Sequence, residues 1–244
     1  GHPHGSGVAG RARGHAPGPQ GHSRLGSLEK CTCSPRLTSP QPLNMPVCTK
    51  RKLAFIHIPK TAGSSVTNLL DMNGRENFFE VNYQAYEFEG VSYAPQHLTP
   101  ALLETLIPDF GSYTTLCFTR HPYAKAVSEY YWLRKDVDKR KVRVFFEPLF
   151  RRWIEKELAK KDMDHKLPQS AYVSGCQHVF KMEELHARWD EIAKVMAVPS
   201  SAKLPRLVVG RQNTERIASR LSVKTKMRIQ ELYPDDFEAL GYER

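Results

Sequence analysis

The residues best suited to chemistry stand in two short stretches, Lys60-Thr61-Ala62-Gly63-Ser64-Ser65 and Arg120-His121-Pro122, with Ser128 a little beyond the second. In the first, a cation, three hydroxyls and two small residues follow the apolar run Leu53 to Ile58 and precede Val66 to Leu70 at helical spacing. Strand, small-residue turn and helix start is the arrangement that turns backbone N–H groups and a positive dipole end toward a phosphate. Lys60 adds a point charge, and Thr61, Ser64 and Ser65 add donors. In the second stretch Arg120 closes the apolar run Tyr113 to Thr119, and Ser128 lies two turns into the helix expected after it. That spacing aims both side chains at one phosphate from different sides. A ligand held by both stretches carries two separated phosphate-like groups. The nucleoside-triphosphate pattern is different, because it places Lys-Ser/Thr directly after a Gly-x-x-x-x-Gly loop, where the hydroxyl holds magnesium. Here Lys60 precedes the single Gly63, which disfavours an ATP-dependent P-loop kinase.

The elements that must position these loops read as an α/β domain with a mainly parallel sheet, running from residue 51 to 244. Residues 77–81 and 83–93 read as short strands or extended connections. Thr99 caps a helix, with Pro100 at its first position and Leu102, Leu103 and Leu106 on one face. The helix after Arg120 covers 123–133, with Ala126, Val127, Tyr130 and Tyr131 inward. Further helices are expected over 145–159, 183–196 and 224–233, and a strand over 178–182. A polar loop, Gly210 to Thr214, follows the short apolar run Leu207 to Val209. Trp132 and Trp153 read as core, with sugar stacking the alternative for them.

In a chain of 244 residues, 40% apolar content supports a real core. Residues 1–50 hold six Lys and Arg against Glu29 alone, half of the net charge of +10. This Gly/Pro/His/Arg-rich segment has too few large apolar side chains to offset its ordering entropy, so disorder is expected there. The folded part is moderately basic, which suits an anionic ligand and is too weak by itself to argue for nucleic acid, so no nucleic-acid partner is expected. A basic interval from Arg134 to Arg143 reads as a solvated loop or as a rim for a polyanionic acceptor. Five cysteines without paired C-x-x-C spacing imply neither a zinc site nor a disulfide framework. No apolar run reaches the ~18–20 residues of a membrane span.

His57-Ile58-Pro59-Lys60-Thr61-Ala62-Gly63-Ser64-Ser65, then Phe118-Thr119-Arg120-His121-Pro122-Tyr123 and Val127-Ser128 with Tyr130-Tyr131, resemble the carbohydrate sulfotransferases that use 3′-phosphoadenosine 5′-phosphosulfate (PAPS), of the heparan/chondroitin type. The similarity continues through Pro168-Gln169-Ser170-Ala171-Tyr172, Val179 to Leu185 and the closing Leu232 to Tyr242. The resemblance implies a P-loop-like three-layer αβα domain, a 5′-phosphosulfate loop at Lys60 to Ser65, and a 3′-phosphate site at Arg120 and Ser128. It implies in-line attack of an acceptor hydroxyl on sulfur, with Lys60 neutralising charge on the bridging oxygen and no metal required. The family carries a histidine base in the segment corresponding to Ala94 to Pro100, which selects His97. His121 is the rival, set aside because it adjoins the 3′-phosphate end, and His57 is read as structural within its strand. Asn213 and Thr214 approximate the family's adenosine-side loop, and Gln169 and Tyr172 read either as facing the cofactor or the acceptor or as ordinary loop or core residues. The implied acceptor is a carbohydrate, possible anionic polysaccharides included, and the implied location is the Golgi lumen, with an anchor before residue 1; the alternative is cytoplasmic. A non-catalytic nucleotide- or sulfated-glycan-binding relative is the other reading kept, and intact Lys60, Arg120, Ser128 and a histidine argue against it.

Overall fold

The computed structural model describes residues 46–70, 86–134, 145–202 and 213–244. The expected disordered segment up to residue 45, the extended stretch 77–81, the basic interval 135–143 and the loop 207–212 lie outside the described residues. In chain order the strands are β1 (Val47–Cys48), β2 (Leu53–Ile56), β3 (Tyr86–Phe88), β4 (Val91–Tyr93), β5 (Thr114–Thr119) and β6 (His178–Lys181). The helices are α1 (Gly63–Leu69), α2 (Pro100–Leu106), α3 (Pro122–Leu133), α4 (Glu147–Lys156), α5 (Ser170–Val173), α6 (Trp189–Val195), α7 (Thr214–Ser219), α8 (Val223–Leu232) and α9 (Pro234–Glu238).

The sheet runs β1-β2-β5-β6, with β2, β5 and β6 parallel and β1 antiparallel at the edge. β2, Leu-Ala-Phe-Ile, is buried on both faces, as a strand covered on both sides requires, whereas the edge strand β6 buries Phe180 and leaves Val179 exposed. Ala54, Ile56 and Cys117 face a cluster with Leu102 and Leu103 of α2, whereas Leu53, Phe55, Leu116, Phe118 and Phe180 face Val66 of α1 and Ile192 of α6. Helix, sheet and helix therefore form three layers. A third cluster joins α3, α4, α7 and α8 through Val127, Tyr130, Phe150, Ile154, Ala218 and Ile229. β3 and β4 form a separate antiparallel hairpin whose two-residue turn, Glu89-Gly90, has both φ angles positive, 49° and 77°. Such a turn follows the right-handed strand twist.

Several boundaries differ from those expected. Val47 and Cys48 pair with β2 and are fully buried, so ordered structure begins before residue 51. β2 ends at Ile56, which places His57 beyond the strand rather than inside it. The expected helix over 183–196 reduces to a 3-10 turn at Met182–Glu184 and α6. That over 145–159 reduces to α4 and a 3-10 turn at Leu158–Lys160. Helix α7 begins at Thr214, where the sequence reads as polar loop. The caps of α2 behave as expected: Thr99 Oγ1 accepts from the Leu102 N–H at 3.4 Å, and Pro100 needs no donor at the first position.

Candidate active site

Parallel pairing of β2 with β5, Ile56 opposite Cys117, puts the loops after both strands at one end of the sheet. This is the crevice side of an open α/β sheet. In the first loop Lys60 and Ala62 both adopt the left-handed region, at φ 68° and 69°. Non-glycine residues held there carry strain, about 1 kcal/mol or more each, that the surrounding structure must offset. The loop is closed from within. Thr61 is buried and its hydroxyl donates to Ile58 O at 2.8 Å, so this hydroxyl shapes the loop instead of standing open as a ligand donor. Ser65 and Val66 donate their N–H groups to Ala62 O at 2.9 and 3.2 Å, starting α1. Gly63 is required by close approach, because a Cβ there would lie 1.8 Å from Cδ2 of His57. Gly63→Ala is expected to destabilise the protein by about 1–3 kcal/mol as the ring is forced aside, a loss that thermal unfolding would register and that an unchanged melting temperature would contradict.

Arg120 joins the two loops. It is 7% exposed, and its Nη1 donates to Lys60 O at 3.2 Å. Its Nη2 donates to Thr214 Oγ1 and to the Glu215 carboxylate. Burial raises the Glu215 carboxyl, but the charge and hydrogen bond of Arg120 outweigh it and hold the group below its ordinary range. Among the described residues, Nε of Arg120 is buried without a hydrogen-bond partner. A buried donor left unmatched beside a cationic loop fits an anionic ligand atom. The main chain of Arg120 is clamped in both directions by Gln169, which accepts from its N–H at 2.8 Å and donates to its carbonyl at 2.7 Å. The Asp236 carboxylate in turn accepts from the N–H groups of Gln169 and Ser170.

Gln169 and Tyr172 are thus fully buried framework residues and do not line a ligand face. Tyr172 donates to Asp164 O at 3.1 Å. Thr214 meets Arg120 directly, whereas Asn213 is exposed and its Oδ1 caps α7 by accepting from Arg216 N–H at 2.8 Å. Ser128 is half-buried on α3. His121 caps α3, accepting from Tyr123 N–H at 3.4 Å, and packs beside Tyr123 and Tyr242.

Behind the first loop three imidazoles gather. His97 sits in a 3-10 turn, Pro95–His97, at 4% exposure, with Nδ1 2.7 Å from His57 O. A carbonyl only accepts, so Nδ1 carries the proton and Nε2 keeps the lone pair that a general base needs. The rings of His57 and His97 lie 4.4 Å apart, and those of His97 and His165 5.0 Å apart. His165 stacks on Trp132 at 4.0 Å and 11°, and Lys60 Nζ lies 5.5 Å from the Trp132 ring centre. Trp132, read as core from sequence, therefore belongs to this site. The Nδ1 of His165 lies 2.8 and 3.0 Å from the two oxygens of Glu129, a side chain with no exposure. Sequence reasoning missed both partners. The available signal was Glu129 interrupting the apolar face that Ala126, Val127 and Tyr130 make on α3.

Burial, then the charges of His165 and Lys60, pushes the pKa of His57 down to about 3. Burial above all holds His97 well below its ordinary value, and repulsion from His57 and His165, were they also to take up protons, acts in the same direction. Both rings are neutral in the folded protein and take up protons only on unfolding below about pH 6.5. Stability is therefore complete above that pH and falls with acidification, by up to about 1.4 kcal/mol per pH unit for each histidine. Asp164, raised mainly by burial, opposes this as one group against three, since burial lowers His121 as well. Urea midpoints measured at pH 7 and pH 5 are expected to fall with pH, and a constant midpoint would contradict the neutral pair.

Among the described residues no cluster of His, Cys, Asp and Glu is arranged to hold a metal ion, and no helix is long and apolar enough to cross a membrane. Residues 44–243 match the family model described as the sulfotransferase family. No curated protein matches, and no solved structure matches.

Proposed function

Because the chain belongs to the sulfotransferase family, we propose that it moves the sulfuryl group of PAPS to a hydroxyl of a carbohydrate acceptor by in-line displacement. The observation that carries this reading is the junction of the two cationic loops, where Arg120 Nη1 holds Lys60 O and its Nε is left without a partner among the described residues. In this reading the site is P-loop-like. Ala62, Gly63, Ser64 and Ser65 run along the 5′-phosphosulfate, with Thr61 keeping the loop in shape. Arg120 with Ser128 takes the 3′-phosphate, and Thr214 and Asn213 border the adenosine. Lys60 neutralises charge growing on the bridging oxygen, so the rate gain comes from positioning and electrostatics. His97 is the base candidate, its Nδ1–H tethered and its Nε2 able to accept. The basic run between Arg134 and Arg143 favours an anionic polysaccharide over a neutral sugar. The Golgi lumen is the compartment where such an acceptor and PAPS meet, by the resemblance of the motifs.

The test is transfer of labelled sulfate from PAPS to a panel of glycosaminoglycans, neutral oligosaccharides and phenols. Labelled polysaccharide supports the reading. Tight binding of adenosine 3′,5′-bisphosphate without transfer to any acceptor points to a non-catalytic binder, and binding of ATP with magnesium in its place overturns the donor assignment.

A further inference from the structure

Four successive peptide carbonyls, those of Asp164, His165, Lys166 and Leu167, each accept a hydrogen bond from a buried side chain. The donors are Tyr172 Oη at 3.1 Å, Lys125 Nζ at 3.3 Å, Tyr233 Oη at 2.7 Å and Lys125 Nζ again at 3.4 Å. The Asp164 carboxylate adds two more restraints, accepting from Ala94 N–H at 2.7 Å and His165 N–H at 2.6 Å. All of this fixes the backbone around one side chain, His165. Lys125 and Glu129 stand one turn apart on α3, so a single helix holds both the carbonyl and the ring of that residue. A side chain over-determined in this way is what a preorganised site requires.

The ring is also supplied with a counter-charge. Glu129 is fully buried and presents both oxygens to Nδ1 of His165, leaving Nε2 as the acceptor, while Trp132 covers one ring face and links it to Lys60. A carboxylate behind an imidazole sets its tautomer and stabilises the imidazolium that forms when it takes a proton. His97 has only a backbone carbonyl behind its ring. We propose that the Glu129–His165 dyad is a second catalytic group of this site, the proton of the acceptor hydroxyl ending on Nε2 of His165 in place of His97. This inference rests on the sulfotransferase reading. In the step, the acceptor O–H bond breaks and its proton passes to His165. The oxygen's electron pair forms the new O–S bond, and the S–O bond to the 5′-phosphate breaks with its pair leaving on the phosphate.

The test measures kcat and the dissociation constant of adenosine 3′,5′-bisphosphate for wild type, His165→Ala and the isosteric Glu129→Gln. A proton acceptor contributes typically about 10²–10⁴-fold. The kcat of His165→Ala is expected to fall about 10²–10³-fold and that of Glu129→Gln at least about tenfold. Nucleotide affinity should remain within about threefold, and added imidazole should restore part of the rate in His165→Ala. Folded variants that keep kcat within about threefold of wild type, or that lose nucleotide binding, overturn the proposal. Should His165→Ala not fold, Glu129→Gln decides. Wild type gives an independent readout, since its proton spectrum must contain a slowly exchanging Nδ1–H of His165 bonded to a carboxylate, and the absence of that resonance removes the dyad. Failure of wild type itself to bind the bisphosphate or transfer sulfuryl sinks the sulfotransferase reading instead.

Discussion

Lys60→Ala is expected to abolish the transfer of labelled sulfate from PAPS, with kcat falling by at least about 10³-fold. The reason is electrostatic and local. A loss of that size corresponds to about 4 kcal/mol of transition-state stabilisation, the amount that a preorganised charge supplies where negative charge develops on a leaving oxygen. Lys60 is only partly buried and its ammonium lies over Trp132, so removing the side chain leaves no core cavity. Its backbone is left-handed, and alanine at the same φ carries a similar cost, so the loop should keep its shape. The variant should therefore melt within a few degrees of wild type and still bind adenosine 3′,5′-bisphosphate, which lacks the sulfuryl group. Activity within about tenfold of wild type would remove Lys60 from the chemistry. Lost bisphosphate binding would make it a ligand of the nucleotide rather than of the transferred group.

The second large effect belongs to Arg120. Arg120→Ala is expected to weaken adenosine 3′,5′-bisphosphate binding by at least about 10²-fold, since charge-assisted contacts to phosphate are among the strongest. It should also cost stability, because Thr214 and the carbonyl of Lys60 lose their donor in a buried setting. The ion pair with Glu215 adds little to that cost, as the Glu215 side chain is 55% exposed and screened by water. Two companions separate the roles. Arg120→Lys keeps the charge without the planar fork and should recover only part of the binding. Glu215→Gln removes the carboxylate that occupies the guanidinium and is expected to leave bisphosphate affinity equal or stronger. An equal loss in Glu215→Gln, measured by calorimetry, would assign the Arg120–Glu215 pair to loop architecture and not to the 3′-phosphate.

How much of the fold could be read in advance depended on how local each signal is. The buried strand Thr114–Thr119, the capped helix at Pro100 and the long helix after Pro122 were legible because each is written within a dozen residues, as an apolar run, a cap with its proline, or a periodic face. β1 was not, because two apolar residues after a Pro-rich segment become a strand only when β2 offers an edge. Gln169 and Tyr172 stayed open between ligand face and core for the same reason, since nothing within their own segment shows that it is buried against Arg120 and Asp236.

The site divides along the same line. Sequence by itself determined the two loops and their charge, Lys60 to Ser65 after one strand and Arg120 after another, because strand, turn and helix start follow from neighbouring residues. It also singled out His97, through the resemblance of its segment. Only the tertiary structure decided what these residues touch. Glu129 and His165 are 36 positions apart, and Arg120 and Glu215 are 95 apart. Their pairing exists because β2 and β5 run parallel, which sets the two loops side by side, and because α3 packs beneath residues 164–167 with Lys125 and Glu129 turned inward. A charge on an apolar helix face is an anomaly in one dimension. Folding gives it a partner.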